Sequence, residues 1–171
     1  PFASLVYRYF IKKIRKLPNV RFTIQTNGLL IKKMYQRFEE FFEKLDVLNI
    51  SIDGATKETY EKLRRGGSYE KIIENLKELR KKYEFKFILH YVVQAENYKD
   101  MIPMIRLAER YGAERLWFNR VTNWNTFKKF EDVDVLNKSN KNYTDCIAEI
   151  EKIKNIKSDV IIEMHTVLGH E

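Results

Sequence analysis

Cysteine is almost missing from this chain: Cys146 is the only one among 171 residues. An internal disulfide is therefore excluded, and no Cys/His cluster with metal-ligand spacing can be drawn, which fits a reducing, cytoplasmic setting. Cys146 lies among Tyr143, Ile147 and Ile150 at helical spacing, the place of a buried core thiol. Glycine and proline are scarce, 6 and 3, beside 44% hydrophobic residues. That composition excludes low complexity and disorder. No apolar run approaches the roughly 20 residues of a membrane span, and no secretory signal is read, so no membrane partner is expected.

A surplus of acid is also lacking, the net charge being +8. Lys71, Lys77, Arg80, Lys81 and Lys82 nevertheless alternate with Glu70, Glu74 and Glu78 at helical spacing, the pattern of a solvated face. Without an arginine-rich arm or a stacking platform, nucleic acid is not an expected partner. The chain starts at Pro1 rather than Met, and Phe2-Ala3-Ser4 reads as the tail of a loop. The expectation is a single domain over residues 1–171, truncated at the N-terminus and taken from a longer protein.

What is present is a pair of polar strand ends. Thr26-Asn27-Gly28 and Ser51-Ile52-Asp53-Gly54 each close an alternating run. Phe22 and Ile24 face one way, with Thr23, Gln25 and Asn27 on the other face. Leu48, Ile50 and Ile52 likewise oppose Asn49, Ser51 and Asp53. A parallel strand sandwiched between helices is apolar on both faces; here one face is polar, as in an open or wide barrel with a wet interior. Solvent-facing antiparallel strands are the rival reading, and the helix-length segments between the runs oppose it. Loops at the carboxyl ends of parallel strands carry the chemistry of α/β folds.

The remaining pattern alternates strand and helix. Helices are expected from Ser4 to Lys16, Ile31 to Lys44, Lys57 to Leu63, Tyr69 to Tyr83, Lys99 to Tyr111 and Asn140 to Lys154. Thr56, Ser68 and Asn97 are their candidate N-caps, and Gly112 a C-terminal stop. Strands are expected from Val20 to Thr26, Asp46 to Ile52, Phe85 to Val93, Glu114 to Val121 and Asp159 to Met164. On the third strand Lys86, Ile88, His90, Val92 and Gln94 share the polar face. His90 reads as a hydrogen-bonded lining residue, Trp117 and Phe118 as packing. Glu163 and His165 fall on one side of the last strand.

The run Phe22 to Leu30 (FTIQTNGLL) resembles a strand and loop of radical S-adenosylmethionine (SAM) enzymes. Leu48 to Ser68 (LNISIDGATKETYEKLRRGGS) resembles the next, and Glu96-Asn97-Tyr98, Ala108 to Ala113 and Trp124 to Phe127 continue the likeness. It is closest to members with an auxiliary-cluster (SPASM-type) extension, covers 1–127 and is weak over 128–171. The resemblance implies an α/β fold, a partial (β/α)6 TIM-like barrel of parallel strands. It also implies a [4Fe-4S] cluster and SAM, cleaved to a 5′-deoxyadenosyl radical that abstracts hydrogen from a small-molecule or peptide substrate. The three-cysteine cluster motif is absent, so no metal ligand and no catalytic residue is assigned here and the fragment alone is expected to be inactive.

Carried over by position, Ser51 and Asp53 match the strand end that bonds the SAM ribose, and Asn27 and Gly28 the loop that lets backbone approach it. Arg64 or Arg65 would pair with the SAM carboxylate, with Arg64 preferred. Gln94 would meet adenine or ribose, and Asn119, Arg120 and Trp124 would face substrate or adenine, with Asn119 assigned to the cofactor and Arg120 and Trp124 to substrate. The rivals are a non-catalytic degenerate barrel binding a nucleotide or a protein partner, and an unrelated sugar- or phosphate-binding barrel. The latter lacks a strand-to-helix glycine cradle. The first strand would be left as an edge, so self-association is expected unless the first helix covers it.

Overall fold

Five strands pair in chain order, every neighbour parallel: β1 (Phe22–Thr26), β2 (Leu45–Ser51), β3 (Lys86–Val93), β4 (Arg115–Arg120) and β5 (Ile161–Glu163). A computed structural model describes residues 3–14, 16–82, 86–164 and 166–167. Sequential order with right-handed crossovers puts the connecting helices on one face of the sheet. The other face is left uncovered by them, which explains the polar alternation and gives the open wall of a partial barrel. β1 is the edge strand, with an irregularity between Phe22 and Thr23.

The helices are α1 (Leu5–Ile14), α2 (Ile31–Arg37), α3 (Glu39–Phe42), α4 (Lys57–Leu63), α5 (Tyr69–Lys82), α6 (Met101–Tyr111), α7 (Phe130–Val133) and α8 (Tyr143–Lys154). Leu48, Ile50, Leu89, Tyr91, Leu116 and Phe118 form the buried side of the sheet. Ile72 and Leu76 of α5, Met104 and Ile105 of α6, and Ile150 of α8 complete that core. Cys146 belongs to it, and burial pushes its thiol up to about 12. Among the described residues no helix is long and apolar enough to cross a membrane.

Caps behave largely as their chemistry dictates. Thr59 N–H donates to Thr56 Oγ1 at 3.2 Å and Lys71 N–H to Ser68 Oγ at 3.3 Å. Gly112 ends α6 in the left-handed region at φ 70°.

Two expectations are corrected. The helix expected over Ile31 to Lys44 breaks at Phe38, whose backbone leaves helical space at φ −141°, ψ 50°. Its N–H still bonds the carbonyls of Met34 and Tyr35, and Phe38, Phe41 and Phe42 reach the core on both sides of the turn. Asn97 makes no capping bond to the 3-10 turn Tyr98–Asp100; its side chain is engaged across the strand ends instead. α7 lies inside the polar loop expected after β4. Expectations on Pro1, Phe2, Tyr83, Phe85 and His165 lie outside the described residues.

Candidate functional site

At the carboxyl ends of the strands, the uncovered face opens into a cleft of about 500 Å³. Gln25, Ser51, Asp53, Arg64, His90, Gln94, Trp117, Asn119, Arg120 and Trp124 line it. A second hollow of about 480 Å³ shares Asp53 and Arg64 with it and adds Asn27, Tyr60, Arg65, Gly66 and Gly67. Seven of the nine residues expected to bind cofactor or substrate, Ser51, Asp53, Arg64, Gln94, Asn119, Arg120 and Trp124, meet at the first cleft. Asn27 lines the second, and Gly28 follows it in the same loop.

The rim is built around Asp53, which is 8% exposed. Val92 N–H donates to its Oδ1 at 2.9 Å, and Arg64 Nη2 pairs with its Oδ2 at 2.7 Å. Asn97, 2% exposed, donates from Nδ2 to the carbonyls of Asp53 at 3.0 Å and Val92 at 2.9 Å, and its Oδ1 accepts from Gln94 N–H at 2.8 Å. One amide thus holds the ends of β2 and β3 in register beyond the backbone ladder. Gly54 is obligatory in the same turn, because a Cβ there would lie 2.4 Å from Tyr60 N.

Gly28 sits at φ 77°, a conformation that glycine adopts without strain. Its carbonyl accepts from Asn75 Nδ2 at 2.6 Å, so a buried amide of α5 fixes the β1 loop. Asn27 Oδ1 accepts from Leu29 N–H at 3.3 Å. On the β4 side, Arg120 donates from Nε to both oxygens of the Asp134 carboxylate, at 3.0 and 3.2 Å, and from Nη2 to Oδ2 at 2.6 Å. Asp134 raises the Arg120 pKa further. Arg120 therefore reaches the cleft already paired, and Trp124, 78% exposed, stands at its mouth.

Deeper in the cleft, His90 Nε2 lies 3.1 Å from Asn49 Oδ1, and its ring meets Trp117 edge-to-face at 4.6 Å. Burial holds the His90 pKa below its ordinary value, opposed by the Glu163 carboxylate. Glu163 in turn pairs with Arg115. Trp117 lines the cleft rather than packing in the core, while Phe118 is buried at 1% exposure. Period-two alternation with Asn119 was the signal for that. Asn75 carried one as well, a polar residue inside the Ile72, Leu76, Leu79 stripe; Asp134, fourteen positions from Arg120, carried none.

Hydroxyl, amide and carboxylate groups in this arrangement suit the hydroxyls and ring nitrogens of an adenosyl group. Arg64 Nε and the Tyr60 hydroxyl are buried beside it without a hydrogen-bond partner, donor capacity that a bound ligand can use. The residues present do not fit an iron–sulfur cluster. Such clusters need several thiolates, Cys146 is in the α8 core, and among the described residues no group of three or more His, Cys, Asp or Glu is placed to hold a metal.

A model of the radical SAM superfamily matches residues 1–108. A GTP 3′,8-cyclase of Alkaliphilus metalliredigens is 35% identical over 69 residues, covering 40% of this chain and 21% of that protein. Streptococcus suis SuiB superposes with a TM-score of 0.65 at 15% identity, over 91% of this chain and 35% of SuiB. A domain of pyruvate-formate lyase-activating enzyme from Bacteroides vulgatus gives 0.55 at 12% identity, over 94% of this chain and 91% of that domain. The chain thus spans about a fifth of the curated relative's length. With the family model matching more than half of its residues, this chain belongs to the radical SAM superfamily.

Proposed function

We propose that this chain is the adenosyl-binding and substrate-facing part of a radical SAM enzyme. The whole protein would cleave SAM reductively to a 5′-deoxyadenosyl radical and abstract hydrogen from a small-molecule or peptide substrate. In this reading residues 1–171 are one domain, the C-terminal part of the core of a SPASM-type member. Ser51 and Asp53 hold the ribose, with Gln94 and Asn119 toward adenine. Asn27 and Gly28 let backbone approach the ligand, Arg64 serves the carboxylate, and Arg120 and Trp124 face substrate. A cluster, bound through thiolates this chain does not carry, would supply the electron; no step through it is assigned to these residues.

The observation that carries the reading is the convergence of Ser51, Asp53, Gln94 and Asn119, from three strand ends, on one cleft. Among the described residues the Ser51 hydroxyl has no hydrogen-bond partner, so it is available to a ligand. One observation favours a second reading, a non-catalytic binding barrel: the single cysteine is buried. Anaerobic incubation of the whole protein with SAM, before and after iron–sulfur reconstitution, separates the two. Release of 5′-deoxyadenosine after reconstitution is the expected result. SAM binding without release selects the binding barrel, and absence of SAM binding overturns the proposed function.

A further inference from the structure

The strand register sets Ser51, His90, Trp117 and Glu163 on one rung across β2, β3, β4 and β5. Ser51, His90 and Trp117 all line the cleft, and His90 and Trp117, edge-to-face on neighbouring strands, set an unused acceptor beside an unused donor. Asn49 meets His90 through its oxygen, an acceptor, so the imidazole carries its hydrogen on Nε2 and leaves Nδ1 as an acceptor. Trp117 Nε1–H is buried with no acceptor. The indole can only donate.

Charge is the second half of the pattern. Three charged residues line the cleft, and each is already matched: Asp53 with Arg64, and Arg120 with Asp134. Below them Arg115 and Glu163 neutralise each other. His90 is held toward its neutral form by burial. Gln25, Gln94 and Asn119 add neutral amides to the wall. With Arg64 given to the SAM carboxylate, a further phosphate or carboxylate entering beside His90 and Trp117 would lose water without meeting an unpaired cation.

We propose that His90 and Trp117 are the specificity-determining pair of this cleft and that they receive an uncharged amide group of the substrate. The substrate carbonyl accepts from Trp117 Nε1–H, and its N–H donates to His90 Nδ1. An open-chain carboxamide and a ring lactam share that donor–acceptor edge. A site built for such an edge rejects analogues lacking it, because its own buried groups are then unpaired. This deepens the reading of the cleft as substrate-facing and rests on it.

The test uses the whole protein labelled with ¹⁵N-tryptophan; Trp117→Phe and Trp124→Phe assign the indole N–H signals of these two residues. Benzamide, 2-quinolone, benzoate and phenyl phosphate are titrated separately, without SAM. The expected result is a saturable shift of the Trp117 indole signal with benzamide or 2-quinolone, and binding at least tenfold weaker for the two anions. Which amide binds more tightly distinguishes a carboxamide from a lactam substrate. His90→Phe keeps the ring, removes Nδ1, and is expected to weaken amide binding at least fivefold while leaving the anions unchanged. Anions binding as well as the amides, a silent Trp117 signal, or no saturable response overturns the proposal. Because SAM is absent, that failure leaves the adenosyl reading untouched, and a failure of SAM binding leaves this selectivity readable.

Discussion

Arg64 Nη2 lies 2.7 Å from Asp53 Oδ2, with the two side chains 26% and 11% exposed. The Asp53 carboxylate, in the loop after β2, thus fixes the arginine that caps the end of α4 before any ligand arrives. Asp53→Asn keeps an acceptor for Val92 N–H and removes the ionic partner of Arg64. Such charge-assisted bonds contribute about 1.5–3 kcal/mol, reduced here by partial solvent screening. The expected outcome in urea unfolding is a loss of about 1 kcal/mol, with SAM affinity of the whole protein falling about tenfold or more by calorimetry.

Asn97 predicts a larger effect. Its side chain serves two carbonyls and one amide at a buried position. Asn97→Ala strands all three, each buried unpaired group costing about 1–3 kcal/mol before relaxation. The expected destabilisation is about 3 kcal/mol by chemical unfolding, with loss of the ordered rim at Gln94.

Two glycines separate space from conformation. A Cβ on Gly54 would press on the backbone of Tyr60, 2.4 Å from N and 2.8 Å from Cα. Gly66 has φ 77° but nothing within 4 Å of its Cβ position. Gly66→Ala is expected to cost about 1–2 kcal/mol from the left-handed backbone alone. Gly54→Ala must displace α4, so it is expected to cost more and also to weaken SAM binding, measured as a pair by thermal unfolding and calorimetry.

The buried imidazole sets a pH dependence. His90 has a folded pKa below 6.5, so as pH falls through about 6.5 the unfolded chain takes a proton that the folded chain refuses. Stability is full above that value and declines below it until the folded pKa is reached. The urea midpoint is therefore expected to drop between about pH 7.5 and about pH 5.5, and His90→Gln to flatten that slope. An unchanged slope in the variant contradicts the assignment.

Much of this architecture is legible in the sequence because burial imposes its period. The alternation of Leu48, Ile50 and Ile52 against Asn49, Ser51 and Asp53 marks β2, its wet face and the candidate cleft together. The break at Phe38 is not legible, since Phe38, Phe41 and Phe42 are apolar at spacings that a continuous helix also satisfies. Asn97 preceding a helix reads as a cap by local chemistry, and tertiary contacts with Asp53 and Val92 override it. The Arg120 partner is illegible for another reason: Asp134 comes from a loop, where no periodicity ties position to contact.

Hydrogen exchange of the whole protein with and without SAM tests the account most directly. Protection is predicted at residues 25–28, 51–54, 92–95 and 119–122, the carboxyl ends of four neighbouring strands. Protection confined to the opposite strand ends, around Arg21, Asp46, Lys86 and Glu114, or none at saturating SAM, would contradict it.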